Sequence, residues 1–193
     1  MLYDNIYRVK NKGFIILNLN RKIIFLDRDG VINQDYGYVY EIEKFNFIDG
    51  VFEACQYFQK LGYEIIVITN QSGIGRKYFT ENDFLKLTNW MIDKFNENNI
   101  KILKVYHCPH SPDENCDCRK PVPGMINQAT IDFNIDLNKS WLIGDKISDI
   151  QAAINAKIKN KILINSSYVK NDSDNIVSIT ANSLFDTINI IKE

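Results

Sequence analysis

The sequence predicts an α/β fold in which a doubly wound parallel sheet carries helices on both faces. Short β-branched or apolar runs alternate with stretches of helical periodicity, the order that parallel strand-helix-strand units require. Each run breaks into polar residues at its carboxyl end, where open α/β sheets bind their ligands. At 193 residues, with 45% hydrophobic and 24% charged, the chain suffices for one well-buried core and is too short for two generous ones. One domain over residues 1–193, with a core over about 21–166, is therefore expected.

Residues Met1 to Asn20 carry no interpretable pattern beyond an apolar run, Phe14 to Leu17, with the character of a strand. Ile23-Ile24-Phe25-Leu26 reads as a short buried strand that breaks into Asp27-Arg28-Asp29-Gly30. The connection from Arg28 to Ile48 is long and shows no clear helix; such a stretch is a lid or hides a small hairpin, and we read it as a flap over the pocket. Val51, Cys55, Phe58 and Leu61 then recur at helical spacing, with Asp49 placed to cap the first turn and Gly62 to end the helix. Cys55 sits on that apolar stripe and is assigned to the core.

Glu64 to Ile68 is a β-branched run typical of a central parallel strand, and it ends at Thr69-Asn70-Gln71-Ser72-Gly73. Thr80 to Asp83 has capping-box character, and Phe84, Thr88, Met91, Ile92 and Phe95 form one helical face behind it. Ile102 to Tyr106 is the next strand, and Pro123 can open a helix with Ile126, Ala129 and Phe133 inward. Trp141-Leu142-Ile143 is a strand stopping at Gly144-Asp145, and Ile147, Ile150 and Ile154 mark the helix after it. Lys161 to Ile164 is a last strand, and Leu184 to Ile191 a terminal helix. The order is Rossmann-like, with no large cap domain and no internal repeat.

Lys+Arg 23 against Asp+Glu 24 leaves a net charge of -1, so no overall field attracts nucleic acid or an anionic membrane, and neither is expected as a partner. Asp4 comes almost at once, and Phe14 to Leu17 is too short for a signal-peptide core or a membrane span, which predicts a cytoplasmic protein. A monomer is expected. Of 4 cysteines, Cys108, Cys116 and Cys118 crowd one stretch, which in such a chain reads as metal ligation before disulfides. Cys108-x-His110 and Cys116-x-Cys118, separated by a short turn, can close tetrahedrally on one Zn²⁺. His107 is a rival ligand that breaks the alternate pairing. Four protein ligands leave no open position, so the site should be structural, holding a loop with no core of its own and aiming Arg119 and Lys120 at the pocket.

In an extended segment residues i and i+2 share a side, so Asp27 and Asp29 should face one pocket while Arg28 points away. Two carboxylates that close need a cation between them, a proton on one, or different tasks. The segment resembles the first motif of the haloacid dehalogenase superfamily, whose phosphatases place Asp-x-Asp-Gly directly after the first strand. Thr69, Arg119-Lys120 and Asp145/Asp149 resemble the remaining motifs, in order, over most of the chain.

The resemblance implies a phosphatase in which Asp27 is the nucleophile and Asp29 protonates the leaving oxygen, then activates water. It implies Mg²⁺ held by Asp27, the backbone carbonyl of Asp29 and Asp145, with Asp149 acting through water, orienting its neighbours or capping a helix. Thr69 would meet the transferring phosphoryl oxygens and Lys120 bring positive charge. The loop ending Cys-x-Cys-Arg-Lys-Pro is similar to the branch holding heptose bisphosphate 7-phosphatases and histidinol phosphatases. Thr69-Asn70-Gln71-Ser72-Gly73-Ile74 and the flap residues Asp35, Tyr36, Gly37 and Tyr38 look like the heptose enzymes, whereas the short gap from His110 to Cys116 looks like the histidinol type. A small sugar phosphate is the partner so implied. Asp35 to Tyr38 would contact its hydroxyls, Arg119 its distal phosphate, and Asn70, Gln71, Ser72 and Lys146 would complete the binding residues.

Overall fold

The computed structural model describes residues 6–8, 14–16, 20–164 and 179–192. Near the amino terminus β1 (Ile6–Arg8) pairs antiparallel with β2 (Phe14–Ile16). Leu17 and residue 166, the carboxyl limit expected for the core, lie outside the described residues. The main sheet contains β3 (Ile23–Leu26), β4 (Glu64–Asn70), β5 (Ile102–Cys108), β6 (Trp141–Gly144), β7 (Asn160–Ile164) and β8 (Thr180–Ala181). Their order is β5-β4-β3-β6-β7-β8, and every pairing is parallel.

Alternation along the central strands builds two cores. Ile24, Leu26, Ile65 and Val67 pack on one face with Val51, Ala54, Cys55 and Phe58 of α1 (Val51–Lys60). Leu87, Met91 and Phe95 of a second helix, Glu81–Glu97, join the same layer. On the other face Ile23, Phe25, Ile66 and Ile68 meet Met125, Ile126 and Ala129 of Gly124–Phe133, and Ala152 and Ala153 of Ile147–Asn155. Because both faces are covered, the strands read as continuous apolar runs rather than alternating ones, and each buried Ile or Leu contributes about 1.5–3 kcal/mol. The doubly wound sheet is thus as expected, and among the described residues no cap domain interrupts it.

A one-turn helix that the periodicity did not reveal, α2 (Ser72–Gly75), follows β4, so the longer helices are α3 (Glu81–Glu97), α4 (Gly124–Phe133) and α5 (Ile147–Asn155). Thr80 does cap α3: its hydroxyl accepts from the Asp83 N–H while the Asp83 carboxylate accepts from the Thr80 N–H. Asp49 does not cap α1. The helix starts from Gly50 in a left-handed conformation, with no side-chain cap. Ile154 is 37% exposed, because Ala152 and Ala153 let α5 sit close to the sheet and take the inward positions. The terminal helix is a 3-10 segment, Phe185–Asn189, with buried Leu184, Thr187 and Ile191 against the α1 layer.

Candidate active site

β3 is hydrogen-bonded on one side to β4 and on the other to β6, so chain connections diverge to opposite faces at its carboxyl end and leave a crevice there. A cleft of about 320 Å³ opens at this point. Asp27 stands directly after β3, Thr69 near the end of β4, and Asp145 directly after β6. The cleft is lined by Asp27, Asp29, Asp35, Gly37, Tyr38, Thr69, Asn70, Gln71, Ser72, Arg119, Lys120, Lys146 and Asp149, thirteen positions named from sequence, together with Gly73 and Ser148, while Asp145 stands against Asp27 and Asp149 without itself lining it. Tyr36 does not line it and is 65% exposed, since the turn at Gly37 sends neighbouring side chains in different directions.

Carboxylate oxygens of Asp27, Asp145 and Asp149 all lie within 4.8 Å of one another. Two glycines permit this crowding. A Cβ on Gly30, whose φ is +86°, would come within 2.3 Å of Asp145 Oδ2, and one on Gly144 within 2.3 Å of the Asp149 Cβ. Lys120 answers part of the charge, with Nζ 2.9 Å from Asp27 Oδ1, 2.7 Å from Asp149 Oδ1 and 2.9 Å from the Ile68 carbonyl. Burial works against the Lys120 cation, but Asp149 and Asp27 outweigh it and hold its pKa above the ordinary lysine value.

One lysine does not balance three carboxylates. Burial raises Asp27, Lys120 offsets part of the rise, and Asp149 and Asp145 add to it, leaving the carboxyl at about 7. Asp145 is pushed up to about 6, chiefly by burial. Its Oδ1 is buried without a partner. A hard divalent cation among oxygen donors would satisfy that atom and return these groups to their ionised forms, so the residues present fit Mg²⁺. Asp149 combines roles weighed as alternatives above: Oδ2 accepts the Lys146 N–H at the start of α5, 3.0 Å away, while Oδ1 meets Lys120.

Asp29 is caged. Its oxygens accept from Arg28 Nη2 at 2.9 and 2.8 Å, Asn33 Nδ2 at 3.0 Å and Gln71 Nε2 at 3.0 Å. Arg28 does not line the cleft, as strand alternation implied, but it does not leave the site either: the chain turns at Gly30 and its guanidinium meets the Asp29 carboxylate. Gln71 Nε2 also donates to Thr69 Oγ1 at 2.8 Å. The Asn70 amide clamps the Lys120 backbone in both directions, at 3.0 and 3.1 Å. These two amides, read from sequence as binding groups, hold catalytic candidates in place.

In the cysteine loop Cys108 Sγ lies 3.7 Å from Cys116 Sγ and 3.6 Å from His110 Nδ1, while Cys118 Sγ lies 3.7 Å from Cys116 Sγ and 3.3 Å from His110 Nδ1. Sulfur ligands about 2.3 Å from a tetrahedral metal stand about 3.8 Å apart, whereas a disulfide needs about 2.05 Å. The cluster could therefore hold a metal ion, and the cysteines are unpaired. His107 is directed elsewhere: its Nε2 meets Glu81 Oε1 at 2.8 Å and its ring packs 4.2 Å from Phe84. Strand alternation along β5 separates His107 from Cys108, leaving His110 as the nitrogen donor. The loop is tied to the cleft, because Arg119 donates to the His110 carbonyl at 3.4 Å and the Gln71 N–H to the Cys108 carbonyl at 2.7 Å.

Comparison with known proteins agrees with this geometry. Residues 117–175 match the HAD-hydrolase-like family model. The chain is 49% identical over 148 residues to the D-glycero-beta-D-manno-heptose-1,7-bisphosphate 7-phosphatase of Yersinia pestis, covering 73% of this chain and 79% of that one. It is 51% identical over 147 residues to the D-glycero-alpha-D-manno-heptose-1,7-bisphosphate 7-phosphatase of Campylobacter jejuni, covering 76% and 84%. The chain belongs to the heptose-1,7-bisphosphate 7-phosphatase family. Among solved structures it resembles the D,D-heptose 1,7-bisphosphate phosphatase of B. bronchiseptica complexed with magnesium and phosphate, with a TM-score of 0.79, 26% identity and coverage of 88% of this chain and 97% of that one. These relatives favour the heptose reading over the histidinol one, despite the short gap from His110 to Cys116.

For a heptose bisphosphate phosphatase the flap is the remaining part. It is both of the things a long connection can be: Ile48 N–H donates to Ile32 O and Gln34 N–H to Asn46 O, a narrow returning loop, while its tip reaches over the cleft. Asp35 meets Lys146 at 3.0 Å across the opening, and Tyr38 contacts Tyr78 edge-on at 4.8 Å. Burial raises the Asp35 pKa, but the Gly37 N–H and Lys146 prevail and hold it below the usual value. Sequence reasoning missed Ser148, Gly73, Asn33 and the true position of Arg28. Only Arg28 left a signal: a charged residue inside an apolar-to-acidic strand end needs a partner.

Proposed function

We propose that Asp27 attacks the 7-phosphate of D-glycero-D-manno-heptose 1,7-bisphosphate and that hydrolysis of the resulting aspartyl-phosphate yields heptose 1-phosphate and phosphate. The observation that carries this reading is the meeting of Asp27, Asp145, Asp149 and Lys120 at the switch point of the sheet, beneath a flap and beside Arg119. A phosphate monoester repels nucleophiles and its alkoxide leaves poorly, so a catalyst must position, neutralise and protonate. In the first step the Asp27 oxygen–phosphorus bond forms as the bond to the sugar oxygen breaks, and Asp29 gives that oxygen its proton. In the second, Asp29 as carboxylate takes a proton from the water that attacks phosphorus.

Mg²⁺, held by Asp27, Asp145 and the backbone carbonyl of Asp29, would keep Asp27 ionised and cancel charge between the phosphate and the acidic cluster. Lys120 adds a fixed positive charge, and Thr69 offers a hydroxyl to the phosphoryl oxygens, with Gln71 fixing its direction. Arg119 suits the distal phosphate, because a planar fork binds it in two places. Ser72, Gly37, Tyr38, Asp35 and Lys146 surround the sugar between the two phosphates. In the loop, Zn²⁺ bound by Cys108, His110, Cys116 and Cys118 would orient Arg119 and Lys120 without touching substrate. We read the whole as a single-domain, monomeric, cytoplasmic enzyme; among the described residues no helix is long and apolar enough to cross a membrane.

Phosphate release from both anomers of heptose 1,7-bisphosphate and from histidinol phosphate, measured side by side, tests the reading. Faster turnover of a heptose anomer is expected, and a preference for histidinol phosphate overturns it.

A further inference from the structure

We propose that Arg28 is the positioning residue that couples the flap to the acid–base group, aiming Asp29 at the leaving oxygen only while the flap is seated. The inference rests on the role given to Asp29 above.

Arg28 is 1% exposed and is the largest fully buried side chain among the described residues. Its Nη2 donates to both Asp29 oxygens and, at 2.7 Å, to the Val39 carbonyl. Val39 is the residue immediately after the flap tip Asp35 to Tyr38, and it is itself buried. One nitrogen thus ties the flap, just past its tip, to Asp29. The rest of the guanidinium lacks hydrogen-bond acceptors: Nε and Nη1 are buried without partners, and the nearest aromatic faces, Phe45 and Phe84, each have their ring centroid 6.0 Å from Cζ, at the far limit of cation–π contact.

Burying a cation costs several kcal/mol, and an apolar side chain would fill the space beside the Phe45 and Phe84 rings without that cost. A buried guanidinium with two idle donors is a poor device for stability, and such broken rules collect at functional sites. What only this side chain does is contact Asp29 and the flap together. Asn33 and Gln71 also hold Asp29, but neither reaches Val39. Loss of Arg28 leaves Asp29 with two of its donors and lets it turn, while Asp27, Lys120 and Thr69 keep their partners.

The test uses Arg28→Gln and Arg28→Lys with two substrates on each preparation: heptose 1,7-bisphosphate, whose alkoxide must be protonated, and p-nitrophenyl phosphate, whose phenolate leaves without a proton. The ratio of the two kcat values does not depend on the fraction of folded enzyme, and the lysine variant keeps the buried charge should the glutamine variant fold poorly. The expected result is a sugar kcat lower by about 10–100-fold, with aryl phosphate turnover within about 3-fold. Hydrogen exchange at residues 35–40 should also speed up. A parallel loss on both substrates overturns the acid–base role of Arg28, and unchanged flap exchange overturns the coupling. Asp27→Asn serves as the control: if it still hydrolyses the aryl phosphate, the site reading itself fails and this inference with it, whereas a dead Asp27→Asn beside an unchanged Arg28 ratio sinks only the inference.

Discussion

In the loop from Cys108 to Cys118 four potential ligand atoms, all drawn from one short stretch of chain, stand close enough together to form the corners of a tetrahedral site. At the carboxyl end of the sheet, Asp27 and Asp145 arrive from strands far apart in sequence and meet with an oxygen left unpaired. The first arrangement would be closed around an ion, since its four side chains could supply all four positions of a tetrahedral site. The second is open, with excess negative charge and a cleft above it. A metal in the loop would hold structure, and one at the acidic cluster would serve chemistry.

The sharpest way to break this comparison is Asp27→Asn. Turnover should fall by at least about 10⁴-fold, read by phosphate release, because the nucleophile is lost. Thermal stability of the metal-free protein should hold or rise, since a carboxyl pushed to about 7 is held at a cost when ionised. An active variant would dissolve the open site.

Cys116→Ser probes the closed one. Metal analysis should find one zinc in the parent chain and much less in the variant, and the melting temperature should drop by about 10 °C, equivalent to about 3 kcal/mol. Both kcat and KM should worsen, because Arg119 is tied to the His110 carbonyl and Lys120 follows it in the chain. Unchanged metal content would remove the structural role.

A smaller effect separates the clusters by pH. Asp27 at about 7 and Asp145 at about 6 both lie above the ordinary carboxyl value of 3.8. Their contribution to metal-free stability is complete below 3.8 and is lost as pH rises through 6 and 7, so without Mg²⁺ the melting temperature should increase as pH is lowered from 8 to 6. Mg²⁺ competes with those protons, and its affinity should weaken over the same fall in pH, with about one proton released per ion in calorimetry. Equal affinity at pH 8 and 6 would contradict the raised carboxyls.

The smallest change is expected at the rim. Lys146→Ala removes the pair with half-exposed Asp35, so stability should shift by less than about 1 kcal/mol while KM for the sugar rises a few-fold. A large loss of stability would mean that the flap is part of the core.

Most of the sheet was legible because parallel strands buried on both faces must be apolar along their buried length, as Ile23–Leu26 and the stretch Ile65 to Ile68 are. The candidate site was legible for a related reason: Asp27, Thr69 and Asp145 stand where such strands end, and the remaining groups lie in the loops that follow them. Where the reading departed, the cause was a contact the local pattern does not contain. Ile154 has helical spacing but lost its inward place to two alanines, Gly50 displaced the Asp49 cap, and the terminal helix tightened into a 3-10 turn.

By itself the sequence determined the order of the longer strands and helices, the four candidate ligands of the loop and the acidic and basic groups that follow the strands. These depend on spacing along the chain, which periodicity and side-chain chemistry fix locally. Only the tertiary structure decided that Arg28 turns inward to Asp29, that His107 rather than His110 is taken by Glu81, and that Asn70 and Gln71 brace the site. Each of those outcomes is a choice among partners supplied by distant elements, and hydrogen bonds of similar strength leave such a choice to packing.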